Sequence, residues 1–136
     1  MDSLDNTDQI EIEELLQGKI ILIVDDEEMN WLLYKYTLEE TNAQLMWART
    51  GNDAIDIMKS EKSVDLILMD MKMPVLDGFN TTQLIRKINK KVPIIAQTAY
   101  AMPKEIKKCF DAGCSDHISK PINFAELYRL FAKYFC

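Results

Sequence analysis

An open, doubly wound α/β sheet with every strand parallel is the fold class this sequence predicts, and three observations predict it. Ile20-Ile21-Leu22-Ile23-Val24 and Leu66-Ile67-Leu68-Met69 are apolar at every position, as strands covered on both faces by helices are. Segments of helical period follow the strand-like runs, so strands and helices alternate five times, the pattern of repeated right-handed crossovers. The connections are short, which favours an open sheet.

Size and composition agree. At 136 residues the chain is one domain, long enough to bury a core and too short for two comfortable ones. Apolar residues make up 48% and charged ones 28%, an ordinary globular balance. The net charge of −6 sits at one end. Residues 1–17 hold Asp2, Asp5, Asp8, Glu11, Glu13 and Glu14 with no Lys or Arg, and the rest of the chain is formally neutral. A neutral body behind an acidic head has no footprint for direct binding of nucleic acid or an anionic membrane. No apolar run approaches a membrane span and no signal-peptide pattern opens the chain, so a soluble, cytoplasmic domain is expected. Cys109, Cys114 and Cys136 lack a disulfide-framework spacing and read as free thiols. Cys109, Cys114 and His117 fall close together, but without the fourth ligand or the spacing of a zinc site.

Taken in order, residues 1–17 are polar, with a weak apolar period at Ile10, Ile12, Leu15 and Leu16. They read as an acidic linker or frayed segment, and the domain is expected over 18–136. The first strand, Ile20–Val24, runs into Asp25-Asp26-Glu27-Glu28. A helix follows through about Glu40, its inner face assigned to Met29, Leu32, Leu33 and Tyr36. Gln44–Ala48 is a short second strand, and Gly51–Ser60 a helix packing Ala54, Ile57 and Met58. The third strand ends at Asp70, before a loop holding Pro74 and Gly78, and a helix to about Ile88 turns Leu84 and Ile85 inward. The fourth strand spans 93–98. Pro103 opens a helix that Gly113 closes, the usual asymmetry of those two residues. Residues 117–119 form a short fifth strand ending at Lys120-Pro121. The last helix has Asn123 as N-cap with Glu126 three residues on, a capping-box pattern, and buries Phe124, Leu127, Tyr128 and Phe131. Trp31 and Trp47 read as packing residues.

The polar residues that end these apolar strands collect on one edge. Asp25 and Asp26 close the first strand, Asp70 the third, Thr98 the fourth and Lys120 the fifth. A flavodoxin-like (βα)5 sheet in the order 2-1-3-4-5 sets strands one, three and four side by side, with its crevice outside their carboxyl ends. Three carboxylates brought together repel and raise one another's pKa unless a cation neutralises them. A hard divalent ion such as Mg²⁺, which takes few protein oxygens plus waters, answers that need. A carboxylate beside such an ion can attack a phosphoryl group, because that transfer mostly requires positioning and charge neutralisation. Lys120 supplies a compact positive charge for a phosphoryl oxygen, and Thr98 a hydroxyl donor.

Asp25-Asp26-Glu27, the run Met69-Asp70-Met71-Lys72-Met73-Pro74-Val75-Leu76-Asp77-Gly78, Thr98-Ala99 and Lys120-Pro121 together resemble the receiver domain of two-component response regulators. The likeness runs from about Lys19 to the C-terminus. Thr98-Ala99-Tyr100-Ala101-Met102 is similar to the C-terminal receivers of hybrid sensor histidine kinases, as is Gly18-Lys19 before the first strand. The resemblance implies that Asp70 is the phosphoacceptor in a phosphorelay, charged from a phosphohistidine on a histidine kinase or histidine phosphotransfer domain. It implies direct Mg²⁺ ligation by Asp26, Asp70 and the backbone carbonyl of Lys72, with Asp25 acting through water. Thr98 and Lys120 would hold the phosphoryl oxygens, and the Lys120–Pro121 bond would be cis. Phosphorylation would shift a pre-existing equilibrium through Thr98, moving the face made by the helix from Pro103, the fifth strand and the last helix. A homodimer through that face is a further expectation. The only catalysis expected is the domain's own phosphorylation and dephosphorylation. Nothing follows Cys136, so an output domain is not expected here, and the acidic head favours a piece of a hybrid kinase, such as the cytoplasmic end of a membrane-bound one.

Two positions set finer expectations. The family usually places Tyr or Phe three residues before the strand-five lysine, as a rotamer switch, whereas here the residue is His117, smaller and able to become charged. Its alternative reading is a half-exposed strand residue with no signalling role. Lys72 and Tyr100, two residues after Asp70 and Thr98, stand where the resemblance puts control of phosphoryl lifetime, and both are expected to shield the phosphoryl group from water. Other classes fit less well. A haloacid-dehalogenase-like phosphatase needs a second Asp where Lys72 stands, and a flavin or nucleotide domain needs a phosphate loop where Asp25-Asp26-Glu27-Glu28 puts the opposite charge. A receiver used only as an unphosphorylated docking module is the remaining alternative.

Overall fold

The strands β1 (Ile20–Val24), β2 (Gln44–Ala48), β3 (Leu66–Asp70), β4 (Ile94–Thr98) and β5 (Asp116–Ser119) pair side by side in the order β2-β1-β3-β4-β5, all parallel. This is the flavodoxin-like order expected from the sequence. The computed structural model describes residues 6–61, 63–99 and 101–135, so Tyr100 and Cys136 lie outside the described residues. Among the described residues six helices flank the sheet: α1 (Asn6–Leu16), α2 (Glu28–Leu38), α3 (Gly51–Ser60), α4 (Gly78–Ile88), α5 (Pro103–Ala112) and α6 (Phe124–Phe135). A 3₁₀ turn at Glu39–Thr41 extends α2.

Every residue of β3 and β4 is buried, because helices cover both faces. Alternate residues feed two cores. Leu22, Val24, Ile67, Met69, Ile94 and Ala96 pack with residues of α3, α4 and α5. Ile21, Ile23, Leu66, Leu68, Ile95 and Ile118 pack with Tyr34 and Leu38 of α2 and Leu127 and Phe131 of α6. Each fully buried large side chain contributes roughly 1.5–3 kcal/mol. Short polar side chains start three of the helices. Thr50 Oγ1 accepts from Asp53 N (3.0 Å), Asp77 Oδ1 from Asn80 N (2.9 Å) and Asn123 Oδ1 from Glu126 N (3.2 Å).

The amino-terminal edge of the sheet is locked by Arg86 of α4. Its guanidinium donates to the carbonyls of Gly113 (2.8 Å), Val92 (2.7 Å) and Asn89 (3.3 Å) and to Ser115 Oγ (3.3 Å). One residue thus ties the ends of α4 and α5 to the starts of β4 and β5.

Two expectations need correction, and one becomes sharper. The segment read as an acidic linker or frayed helix is helical over Asn6–Leu16. Ile12 and Leu16, one turn apart, are buried in the core that includes Leu127 and Phe131, so tertiary contact with α6 holds a helix whose own sequence signal is weak. On α2 the assigned inner face is wrong: Met29 is 74% exposed, Leu33 48% and Tyr36 65%, while Tyr34 and Leu38 are buried. Tyr34 goes inward because its hydroxyl has a buried partner there. On α4, Ile85 is buried as expected but Leu84 is exposed; Thr81 and Thr82 complete the inner face.

Candidate functional site

The register of the sheet builds the site. Val24 pairs with Met69, so the next residues along β1 and β3, Asp25 and Asp70, emerge side by side. Asp70 pairs with Gln97, and Thr98 pairs with Ser119, one residue before Lys120. Lys120 N donates to the Thr98 carbonyl (2.8 Å), which fixes the start of the Lys120-Pro121 turn, whose peptide bond is cis.

Carboxylate oxygens of Asp25, Asp26 and Asp70 lie within 4.8 Å of one another. Asp25 and Asp70 are buried. Asp25 Oδ1 accepts from Glu27 N (2.9 Å), and Asn30 Nδ2 donates to both of its oxygens (3.3 and 3.1 Å). Asp70 Oδ1 accepts from Lys72 N (3.1 Å) and lies 3.3 Å from Lys120 Nζ, which is 3.9 Å from Asp25 Oδ2. Burial pushes the Asp70 carboxyl up to about 6, with the Asp25 charge adding to it and Lys120 and the Lys72 N–H opposing. Burial also raises Asp25, against the Glu27 N–H and Lys120. One lysine against three clustered carboxylates leaves negative charge uncompensated, and an all-oxygen donor set fits a hard divalent cation.

Outside this cluster opens a cleft of about 260 Å³, bordered by Asp70, Lys72, Phe79, Thr98, Glu105 and Lys120. Its floor is shaped by close backbone approach. A Cβ on Gly78 would stand 2.3 Å from the Asp70 carbonyl oxygen and 2.6 Å from Met71 Cα, so only glycine lets α4 start against the strand end. Thr98 Oγ1 is buried and has no hydrogen-bond partner. His117 lies opposite Ala96 in register, on the same sheet face as Thr98, half-buried with Nδ1 unpartnered, and meets Phe110 edge-on at 6.2 Å. Lys72 is exposed at the rim.

Of the candidate residues that the structure describes, Asp25, Asp26, Asp70, Lys72, Thr98 and Lys120 come to this one edge, whereas His117 lies within β5 opposite Ala96 and does not border the cleft. Reading the sequence missed Asn30, which holds Asp25, along with Phe79, Glu105 and Gln97 on the cleft walls. Gln97 had a signal: it is the polar residue inside the apolar run Ile94-Ile95-Ala96 at the register of Asp70.

Fold and site together define a receiver-type α/β domain. Comparisons with known proteins give the same result. The family model for the response regulator receiver domain matches residues 21–132. The sensor histidine kinase RcsC of Salmonella typhi is 33% identical over 115 residues, covering 85% of this chain and 12% of the kinase. Hybrid signal transduction histidine kinase L of Dictyostelium discoideum is 38% identical over 126 residues, 88% of this chain and 7% of that protein. Among solved structures, the receiver domain of a Pseudomonas aeruginosa sensor histidine kinase, with a magnesium ion coordinated in its active-site cleft, is 33% identical with a TM-score of 0.78, covering 87% of this chain and 98% of that one. The complex of the Saccharomyces cerevisiae histidine phosphotransfer protein Ypd1 with the receiver domain of its downstream regulator Ssk1 matches at 27% identity and a TM-score of 0.83, over 89% of this chain and 91% of the matched chain. This chain belongs to the response regulator receiver family of two-component phosphorelays. It spans only a small part of the hybrid and sensor kinases it resembles. No helix among the described residues is long and apolar enough to cross a membrane.

Proposed function

We propose that this domain accepts a phosphoryl group on Asp70 from a phosphohistidine of a histidine kinase or histidine phosphotransfer protein, with Mg²⁺ held directly by Asp26, Asp70 and the Lys72 carbonyl and by Asp25 through water. The observation that carries the reading is Lys120 Nζ at 3.3 Å from Asp70 Oδ1, beside three carboxylates within 4.8 Å, at the mouth of a cleft. Bound Mg²⁺ would neutralise the carboxylates and polarise the phosphoryl oxygens. An Asp70 oxygen attacks phosphorus in line. The new O–P bond forms as the P–N bond breaks, and its electron pair returns to the donor imidazole. Lys120 pairs with a phosphoryl oxygen, and the unpartnered Thr98 hydroxyl donates to another.

Movement of Thr98 towards the phosphoryl group empties space on the side where His117 stands against Phe110, so the imidazole is the switch residue that follows it. The face that answers is α5, β5 and α6, which also serves a homodimer. Lys72 and Tyr100 set the phosphoryl lifetime. The domain works in the cytoplasm and catalyses only its own phosphorylation and dephosphorylation.

The test is phosphorylation by a small phosphodonor with and without Mg²⁺, followed by intact-mass measurement of wild type and Asp70→Asn. One added phosphoryl group is expected in wild type with Mg²⁺ and none in the variant. Equal labelling of the variant, or labelling indifferent to Mg²⁺, refutes the assignment.

A further inference from the structure

Among the described residues, three buried side-chain polar atoms lack a hydrogen-bond partner: Thr98 Oγ1, His117 Nδ1 and Gln97 Nε2. The first two belong to the switch described above. Gln97 has no role so far, yet an apolar residue would suit its position better if packing were all it did. It is 1% exposed, paired in register between Asp70 of β3 and Ile118 of β5. Asp25, Asp70 and Gln97 therefore stand abreast on three adjacent strands, on the sheet face that α2 and α6 cover.

One end of the Gln97 amide is already committed. The Tyr34 hydroxyl donates to its Oε1 at 2.5 Å, in the interior. Burial and the nearby Asp25 and Asp70 charges push the Tyr34 phenol far up, so it remains a donor at all ordinary pH. A donor facing Oε1 leaves both N–H groups of Nε2 for another acceptor. The same side chain borders the phosphoryl cleft with Asp70, Thr98 and Lys120, and also a smaller groove with Asn30, Leu33 and Ile122. A buried donor without an acceptor is costly, and the cost is relieved when an acceptor enters.

We infer that the Gln97 amide is a further anion donor of this site, held by Tyr34, and that its Nε2 pairs with an oxygen of the phosphoryl group once Asp70 carries it. The inference rests on Asp70 being the phosphoacceptor. Gln97 then favours the loaded over the empty state, since its donor is satisfied only in the loaded one. Tyr34 lies on α2, so the same bond links occupancy of the cleft to the helix that follows the Asp25-Asp26 pair.

Beryllofluoride, which adds to an aspartate carboxylate as a phosphoryl group does, is the probe. Its affinity is measured at saturating Mg²⁺ for wild type, Gln97→Leu, Gln97→Met and Tyr34→Phe, and Mg²⁺ affinity is measured alone for each. Gln97→Leu and Gln97→Met are expected to bind beryllofluoride about tenfold more weakly, the loss of one hydrogen bond to a charged group. Mg²⁺ affinity should stay within about twofold, since Gln97 is not a ligand. Tyr34→Phe should weaken beryllofluoride binding less, in the same direction, because it frees the amide without removing it. Beryllofluoride affinity unchanged in whichever of the two Gln97 variants folds overturns the inference while leaving Asp70 untouched. A wild type that binds no beryllofluoride and takes no phosphoryl group on Asp70 overturns the underlying assignment instead.

Discussion

Replacing Asp70 by Asn should make the metal-free domain more stable. Folding buries this carboxylate, 5% exposed at the side chain, beside Asp25 and lifts it from 3.8 to about 6. A shift of roughly two units corresponds to about 3 kcal/mol of destabilisation when the group is ionised. Coupling to Asp25 shares part of it, so a gain of about 1–3 kcal/mol is expected from Asp70→Asn at pH 7.5. Asn keeps an oxygen for the Lys72 N–H and removes only the charge. The pH dependence follows from the raised pKa. Between about 4 and 6 the folded protein holds a proton that the unfolded chain has lost, so wild-type stability falls as pH rises through that window. The advantage of the variant is therefore absent near pH 4, opens through about 6 and stays constant above. Urea denaturation with a chelator at pH 4.5 and 7.5 measures it, and a Tm rise of about 3–9 °C at the higher pH should accompany it. Saturating Mg²⁺ should close the gap, because wild type gains binding free energy and the variant lacks a ligand. A variant no more stable than wild type at pH 7.5 without metal, or an advantage equal at both pH values, refutes the reasoning.

Other expectations are independent of that one. Val75 has φ of 69° with its side chain wholly exposed, so Val75→Gly relieves a left-handed β-branched residue without losing packing; a gain of about 1 kcal/mol is expected by urea denaturation. Arg86→Met removes the four hydrogen bonds that close the amino-terminal edge and leaves carbonyls of Gly113 and Val92 without that donor. A loss of about 2–4 kcal/mol is expected, with phosphorylation of Asp70 retained in the folded fraction. Lys72→Asn puts an acceptor able to orient water at the rim, and phosphate loss in excess Mg²⁺, followed by intact mass, should quicken several-fold. An unchanged lifetime there removes Lys72 from the shielding role.

The strands and the acidic edge were legible because they depend on local pattern. A run as short as Leu66-Ile67-Leu68-Met69, followed by a loop with Pro74 and Gly78, reads as a doubly covered strand, and the strand-end residues follow from where each run stops. The inner face of α2 was not legible. Trp31-Leu32-Leu33-Tyr34 is apolar or aromatic on every side, so periodicity cannot choose between stripes. The choice is made by partners far along the chain, Gln97 for the Tyr34 hydroxyl and Trp47 for Trp31. Leu84 illustrates the same limit, since Thr81 and Thr82 take the inner positions that hydrophobicity alone would give to a leucine. The helix Asn6–Leu16 was legible only as a frayed one, because two buried residues, Ile12 and Leu16, hold it against another element and nothing in its composition advertises that contact. Gln97 was passed over as an ordinary strand residue because its importance lies in which residue it stands beside.

Trp31 and Trp47 are the two tryptophans of the chain, and they stack face to face, 5.3 Å between centroids and 6° from parallel. Arg49 covers the Trp47 ring at 4.6 Å, and the Trp47 indole N–H donates to the Asp25 backbone carbonyl at 2.9 Å. The tryptophan emission of the protein therefore arises from one coupled pair of chromophores tethered to the peptide of a site carboxylate. Two stacked indoles this close share their excitation, and the circular-dichroism signal of the pair depends on the angle between their transition moments, which any rotation of one ring over the other will change. The molecule thus carries its own optical gauge of the acidic pocket, readable without a dye or a label.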